Sequence, residues 1–189
     1  MEKFKNIISN AIVVETENVD TDQIIPAKYL KTTEKTGLGK YMFYNWRFDE
    51  SGNKRKSVFN SKSEEILIAG KNFGIGSSRE HAVWALMDFG FKVIISSEFG
   101  DIFYNNSLKN GLLCIKLKEA EVRKIINMIN KNAKTEIRVN LEDQTVTVSG
   151  IRIKFLIDSF RKSCLLMGVD ELGYILSHED KIREYEKNL

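Results

Sequence analysis

Short apolar runs alternate along this chain with segments of helical spacing, and the alternation predicts a mixed α/β fold. Apolar runs of strand length lie at residues 11–14, 65–69, 92–96 and 112–115. Between the second and third runs, apolar residues recur at steps of three and four, as on one helix face: Ala82, Ala85, Leu86 and Phe89. Because strand, helix and strand follow in this order, we expect a right-handed βαβ unit.

The second half of the chain adds helices and alternating strands. Helical patterns occupy residues 101–109, 122–129, 157–167 and the segment after Asp170. Strand-like alternation occurs at residues 136–139, 145–148 and 151–155. Ser149-Gly150 joins the last two as a hairpin, and the charged tail from His178 predicts a solvated helix. No linker divides the chain, so we expect one domain of residues 1–189, with helices flanking a mixed, partly parallel sheet.

Composition and charge exclude several classes of protein. The 189 residues are 42% hydrophobic and 29% charged, as in soluble globular domains, and the net charge is only +3. The single basic run, Lys54-Arg55-Lys56, lies in a polar loop, so nucleic-acid binding is not expected. The early acid in Met1-Glu2-Lys3-Phe4-Lys5 leads us to expect no signal peptide, and no apolar run has the length needed to span a bilayer. We therefore expect a cytoplasmic protein without membrane contact.

Cysteine and histidine do not form a metal-binding pattern. Cys114 and Cys164 lie in apolar sequence without C-x-x-C spacing, and His81 and His178 are far apart. We expect buried thiols in a reducing compartment and no metal ligands in this chain. Two cysteines also cannot supply the three or four thiolates of a cubane iron–sulfur cluster.

Residues 72–82 carry more chemistry than a strand-to-helix connection requires. Gly74 and Gly76 lack a Cβ, so the turn can adopt positive φ and bring backbone N–H groups close to a ligand. The two serines that follow would lie at a helix N-terminus, which attracts anions. Arg79 adds a planar guanidinium that suits a carboxylate or a phosphate.

The same residues also allow a structural explanation. Ser77-x-x-Glu80 before an apolar run matches a capping box, and capping alone would explain both residues. Asp20-Thr21-Asp22 could likewise cap a short helix at Gln23, and the sequence alone favours that role over catalysis. For residues 72–82, the density of glycine, serine and charged side chains favours a site.

Residues 28–62 are the least regular part of the chain. An aromatic-rich segment at residues 41–48 indicates core or interface packing, and a polar turn follows at 49–53. Pro26, the only proline, ends or kinks the element before it.

Five separated motifs resemble those of a known superfamily, the swivelling domain of aconitase-type hydro-lyases. They lie at residues 20–26, 37–39, 43–48, 72–82 and 101–107. Together they resemble the family of bacterial small subunits of 3-isopropylmalate dehydratase, from about Ala11 to His178. The resemblance implies a β/β/α swivelling domain that closes over a 4Fe–4S cluster held by a separate large subunit. It also implies isomerisation of 2-isopropylmalate and 3-isopropylmalate by dehydration and rehydration, in leucine biosynthesis.

The resemblance implies roles for individual residues. Ser77 would act, as its alkoxide, as the base that takes the C–H proton. The residues implied in binding the dicarboxylate substrate are Gly76, Ser78, Arg79, Asp22 and Lys31. Those implied in supporting the loop are Gly74, Glu80 and His81. His81 could also serve as general base for Ser77, but a hydrogen bond that holds the loop is the favoured role.

Three alternatives stay open from the residues alone. Lys31, in segment 29–32, could meet a third carboxylate, as in homoaconitate, or be solvated; Trp46-Arg47 favours the isopropylmalate type. A stand-alone anion- or nucleotide-binding module is a different class, but Arg79 replaces the third glycine of the dinucleotide fingerprint. A serine hydrolase would need Gly-x-Ser-x-Gly around Ser77, which the sequence lacks.

Overall fold

The computed structural model describes residues 1–31, 33–60 and 63–187. Its strands, in chain order, are β1 (Ile7–Ser9), β2 (Ala11–Val14), β3 (Ile66–Ala69), β4 (Val93–Ser96), β5 (Leu113–Lys116), β6 (Ile137–Asn140), β7 (Thr145–Val148) and β8 (Ile151–Lys154). They form a parallel sheet of order β2-β3-β4-β5 and an antiparallel sheet of order β1-β6-β7-β8. The mixed α/β class is confirmed, with its parallel and antiparallel strands in two separate sheets.

The helical patterns of the sequence are confirmed as well. The helices are α1 (Thr21–Ile24), α2 (Tyr44–Arg47), α3 (Glu80–Phe89), α4 (Asp101–Asn110), α5 (Glu119–Lys131), α6 (Ser159–Met167), α7 (Glu171–Leu176) and α8 (Glu179–Lys187). Short 3₁₀ turns lie at Ala27–Tyr29, Gly39–Tyr41 and Val58–Asn60. Within the described ranges, none of the helices combines the length and the apolar character needed to cross a membrane.

The βαβ unit places α3 on the parallel sheet. β3 and β4 are neighbouring parallel strands, and both are buried along their whole length. This double burial explains why they occur as continuous apolar runs without alternation. The predicted inner face of α3 is buried, with Ala82, Ala85 and Leu86 at 0% exposure. Gly90, at φ 125°, ends the helix as the sequence predicts.

The parallel sheet is the central layer of the fold. Successive strand residues point to opposite faces, so Leu67 packs in the core with α3 while Ile66 and Ile68 pack in a second core. That second core also contains the apolar face of α5 and the inner face of the antiparallel sheet. β1 was not predicted from the sequence, because it has only three residues and pairs with distant β6.

The irregular segment before β3 packs most of its aromatic residues into or against the first core, as predicted. Phe43 is fully buried, and its ring stacks on Phe59 with 4.7 Å between centroids. Arg47 is also buried, and its Nη1 donates to the carbonyl oxygens of Gly39 (3.2 Å), Lys40 (3.3 Å) and Met42 (3.0 Å). These bonds fold the segment around one guanidinium and against the end of α3.

Both cysteines are buried, which confirms the expectation from their apolar surroundings. Cys114 lies in β5 and Cys164 in α6. Burial raises the pKa of the Cys114 thiol to about 12, so this thiol stays protonated at neutral pH.

Candidate active site

Two loops meet at the carboxyl ends of β2 and β3. Gly74 N–H donates to the Val19 carbonyl oxygen (2.7 Å), and Thr21 N–H donates to that of Ile75 (2.9 Å). These bonds hold the loop after β2 beside the loop after β3 as a short parallel bridge. In open α/β sheets, ligands bind at the carboxyl ends of parallel strands.

The loop after β3 lies directly on the beginning of α4. Gly74 has a φ of 77°, and a Cβ at this position would lie only 2.3 Å from Cγ of Phe103. A Cβ at Gly100 would lie 2.5 Å from the Gly74 carbonyl oxygen. Gly76 has a φ of 94°, so both loop glycines adopt the positive φ that the sequence predicts. Gly74 and Gly76 therefore allow this turn, and at Gly74 a side chain would collide with Phe103.

Ser77 and Ser78 are exposed at the tip of this loop. Within the described part of the chain, neither hydroxyl group makes a hydrogen bond, and the backbone N–H groups of residues 76–78 have no acceptor. The Ser77 carbonyl oxygen accepts instead from Thr21 Oγ1 (3.1 Å) and from Arg79 N–H (2.8 Å). The loop therefore offers three backbone N–H groups and two hydroxyl groups to an anion.

The capping box that Ser77-x-x-Glu80 matches, the structural alternative to a site, does not form. α3 begins at Glu80, its N-cap is Arg79, and no side chain caps it. The serines precede that N-cap, so they lie just outside the helix N-terminus at which the sequence placed them. The Glu80 carboxylate accepts instead from Asn110 Nδ2 (2.6 Å). Glu80 thus forms a hydrogen bond between α3 and α4 instead of a local cap.

The cap predicted for the other loop is confirmed. Asp20 Oδ1 accepts from Gln23 N–H (2.7 Å), and Gln23 Oε1 accepts from Asp20 N–H (2.9 Å), which forms a complete capping box. The neighbouring Asp22 is left free of this cap, and its carboxylate lies on the side of the second loop.

Asp22 and Arg79 join the two loops as an ion pair. Asp22 Oδ1 accepts from Arg79 Nη1 and from Ala27 N–H (3.0 Å). The hydrogen bond from Arg79 is the main cause that lowers the pKa of the Asp22 carboxyl; partial burial opposes it, and the Ala27 bond adds to it. Because this pKa is lowered, the ion pair is present at neutral pH and is lost only as the pH falls through the lowered value. Asp22 is thus an acceptor at neutral pH, not a proton donor.

The structure brings five of the proposed site residues together and leaves Lys31 outside their contacts. The five are Asp22, Gly76, Ser77, Ser78 and Arg79. Lys31 is exposed, and among the described residues no hydrogen bond or ion pair joins it to the Ser77 loop. Thr32, the last residue of its segment, lies outside the described residues. His81 lies in the first turn of α3, with its ring 4.7 Å from that of Trp84.

The sequence matches the family model of the aconitase C-terminal domain over residues 1–120. The 3-isopropylmalate dehydratase small subunit of Cytophaga hutchinsonii is 47% identical, over 99% of this chain and 96% of that protein. Those of Pelagibacter ubique and Roseiflexus castenholzii are 45% and 44% identical, over 100% and 98% of this chain and 94% of each protein. The chain belongs to the family of 3-isopropylmalate dehydratase small subunits.

A solved structure agrees with this family assignment. The 3-isopropylmalate dehydratase of Methanocaldococcus jannaschii superimposes with a TM-score of 0.68 at 25% identity, over 97% of this chain and 99% of that one. The family resemblance stated from the sequence motifs is confirmed, together with the aconitase-type fold.

The residues of this small subunit do not fit an iron–sulfur cluster. In the ranges that the structure describes, no group of three or more His, Cys, Asp or Glu residues could hold a metal ion. Its two thiols lie on different elements, and both are buried. A cubane cluster needs three or four accessible thiolates.

The motifs of this small subunit did not identify all residues that shape the loop. Thr21 was interpreted only as part of a cap, yet its hydroxyl holds the Ser77 carbonyl. Asn18 and Asn72 both have positive φ, and Asn72 Nδ2 donates to Asn18 Oδ1 (2.7 Å). Asparagine tolerates positive φ better than most other non-glycine residues. Asn18 and Asn72 in the two loops could therefore have indicated turns with positive φ from the sequence. Asn110 was interpreted only as a helix end.

Proposed function

We propose that this chain is the small subunit of a 3-isopropylmalate dehydratase. With a cluster-bearing large subunit, it would interconvert 2-isopropylmalate and 3-isopropylmalate by removing water and adding it back. One observation carries the proposal: three N–H groups and two hydroxyls that have no partner among the described residues lie on one loop with a guanidinium. Such a set of donors suits a dicarboxylate.

The substrate carboxylate is bound by Arg79 and its neighbours in this proposal. A guanidinium has five N–H donors in a fork, and Asp22 engages Nη1. The Arg79 side chain is 21% exposed, so the remaining donors can reach a carboxylate. Gly76 N–H and the Ser78 hydroxyl add further donors. Asp22 orients the fork, since its ionised carboxylate accepts from Arg79 before the substrate arrives.

Ser77 is the base in this proposal, taking the C–H proton on Oγ. A serine hydroxyl is a weak base in water, so its oxyanion needs preorganised donors and a site from which water is excluded. The N–H groups of residues 76–78, which have no acceptor in the part of the chain that the structure describes, are such donors. The loop is exposed in the isolated chain, so we infer that the large subunit covers it. The cluster, which supplies Lewis acid chemistry when bound, would be held by that subunit.

Two further expectations belong to this proposal. We propose that residues 1–189 form one swivelling domain, because the two sheets share a core that contains Ile68, Ile95 and Val146. A cytoplasmic location stays a prediction. The experiment that tests the function is co-purification with a candidate large subunit, followed by turnover of 3-isopropylmalate beside homoaconitate. Turnover of homoaconitate alone would replace the isopropylmalate assignment by the tricarboxylate one.

The isolated chain is expected to be colourless and inactive, because its residues do not fit a cluster. Anaerobic incubation with iron and sulfide should give no visible absorbance of a cluster, because the chain lacks a set of cluster thiolates. The assembled pair should be brown and active under the same conditions. A stable brown isolated chain with hydratase activity would refute the two-subunit proposal.

Arg79→Lys is expected to weaken substrate use about 10- to 100-fold, mainly through a higher KM. Lysine keeps the charge but loses the planar fork, and a hydrogen bond to a charged group contributes about 1.5–3 kcal/mol. Steady-state kinetics of the assembled enzyme measure the effect. Lys92→Arg, at an ion pair with Glu65 beside β4, is the control and should leave kinetics unchanged. Wild-type KM in Arg79→Lys would exclude a bidentate carboxylate contact.

A further inference from the structure

We propose that Asn110 is a positioning residue for the Ser77 loop; this role rests on the proposed function. Its side-chain amide makes four hydrogen bonds. Nδ2 donates to Glu80 Oε1 (2.6 Å) and to the Asn106 carbonyl oxygen (2.9 Å). Oδ1 accepts from Trp84 Nε1 (3.0 Å) and from Lys35 Nζ (3.1 Å). The full donor and acceptor capacity of the amide is therefore used.

The partners of Asn110 permit only one orientation of its amide. An indole N–H and an ammonium group can only donate, so both must face Oδ1. A carboxylate and a backbone carbonyl can only accept, so both must face Nδ2. A side chain held by four such partners has one rotamer and one flip state. Asn110 is half-buried, so water competes only weakly for these bonds.

Asn110 completes the second of two contacts between α4 and the Ser77 loop. The first is at Gly74, which lies on Gly100 and Phe103 at the beginning of α4. The second is at Glu80, which Asn110 holds at the last residue of α4. Residues 75–79 lie between these contacts. One helix therefore fixes both ends of the loop that carries Ser77 and Arg79.

The same amide also ties the loop to the segment before Gly37. Lys35 binds Asn110 Oδ1, and its Nζ lies 5.3 Å from the centroid of the Trp84 ring. Trp84 lies one turn beyond Glu80 on α3, so Asn110 contacts two successive turns of that helix. A displacement of the first turn would move Arg79, which directly precedes it, and misplacement of a catalytic group by 1 Å can reduce rates about 100-fold.

The test reverses the donor and the acceptor in the Asn110–Glu80 bond. Asn110→Asp keeps the size and the acceptor for Trp84 and Lys35, but places a carboxylate oxygen against the Glu80 carboxylate. We expect the assembled enzyme to lose about 10- to 100-fold in kcat through Ser77, whose carbonyl oxygen accepts from Arg79 N–H, and to show a raised KM through Arg79 itself. The double change Asn110→Asp with Glu80→Gln restores a hydrogen bond with reversed polarity. It should recover at least about tenfold of the lost kcat, as coupled residues in a mutant cycle do.

Asn130→Asp is the matched control. Asn130 is exposed on α5, and its Nδ2 also donates to a glutamate, Glu15 Oε1 (3.4 Å). The same chemical change is made there beside the same type of carboxylate. We expect wild-type kcat and KM for this variant.

Hydrogen exchange in the isolated chain tests the positioning without any turnover. Arg79 N–H and Ala82 N–H donate to Ser77 O (2.8 Å) and Arg79 O (3.0 Å), so they report the order of the loop and the first turn of α3. Both should exchange faster in Asn110→Asp and return toward wild type in the double variant. Unchanged exchange, wild-type kcat, or a kcat that the double variant leaves low would overturn the proposal. If wild type lacks isopropylmalate turnover, the proposed function fails while the exchange result still decides the role of Asn110.

Discussion

Ser77→Ala is expected to reduce kcat by about 10²–10⁴-fold in the assembled enzyme, the usual contribution of a general base. Ser77 is exposed, its hydroxyl makes no hydrogen bond within the described residues, and it does not cap α3. The substitution should therefore leave the free energy of unfolding within about 0.5 kcal/mol of wild type, as for other surface changes. Turnover of 3-isopropylmalate and a thermal melt of the same sample measure the two quantities.

Ser78→Ala is the matched comparison for this prediction. Ser78 is the adjacent serine, equally exposed and equally without a hydrogen bond in the described part of the chain. As a carboxylate contact it should affect KM by about tenfold and kcat only weakly. Equal losses of kcat in both variants, or full turnover by Ser77→Ala, would remove Ser77 from the role of base.

Gly74→Ala is expected to destabilise the chain by about 2–5 kcal/mol and to abolish turnover. The residue has a φ of 77°, and its new Cβ would lie 2.3–2.8 Å from the Cγ, Cδ1 and Cβ atoms of Phe103. Positive φ costs a non-glycine residue about 1–2 kcal/mol, and overpacking adds about 1–3 kcal/mol. Phe103 is buried at 3% exposure and cannot move away easily, so the loop must shift. Urea unfolding and steady-state kinetics measure both effects.

Gly150→Ala separates the backbone strain from the collision. Gly150 has a φ of 80°, close to that of Gly74, but a Cβ there would meet nothing within 4 Å. The free energy of unfolding of Gly150→Ala should fall only by the cost of positive φ, about 1–2 kcal/mol, and the variant should keep full turnover. Gly74→Ala should cost less stability in a Phe103→Ala background than in wild type, because the two closest atoms, Cγ and Cδ1 of Phe103, are then absent. Equal effects of the two glycine substitutions would show that contact with α4 is unimportant.

The elements that could be predicted are those in which local spacing and burial agree. The face of α3 follows from residues 82–89, because steps of three and four can bury only one side of a helix. β7 and β8 follow from alternation and from Ser149-Gly150, where both residues have positive φ. In these segments the tertiary structure requires the same conformation that the local pattern favours.

The predictions that were wrong or missing concern contacts between distant segments. Ser77-x-x-Glu80 has the pattern of a capping box, but Asn110, thirty residues away, holds Glu80 instead. The mixed α/β class was correct, but the division of its strands between two sheets was missing, because β1 pairs across most of the chain with β6. The chemical composition of the Ser77 loop could be predicted from its sequence. Its shape could not, because Phe103, Gly100 and Thr21 determine it from other elements.

The chain passes from the antiparallel to the parallel sheet across a single residue, Asn10, and this crossing affects the order of folding during synthesis. All four strands of the parallel sheet have been synthesised once β5, which ends at Lys116, has left the ribosome. The segment before Asn10 must wait longer, because Phe4 N–H donates to the Leu165 carbonyl oxygen (2.9 Å) and Ile7 pairs with Val139. Synthesis releases the N-terminus first, yet here the first nine residues are among the last to find their partners. The first nine residues therefore stay unpaired until nearly the whole chain has been synthesised.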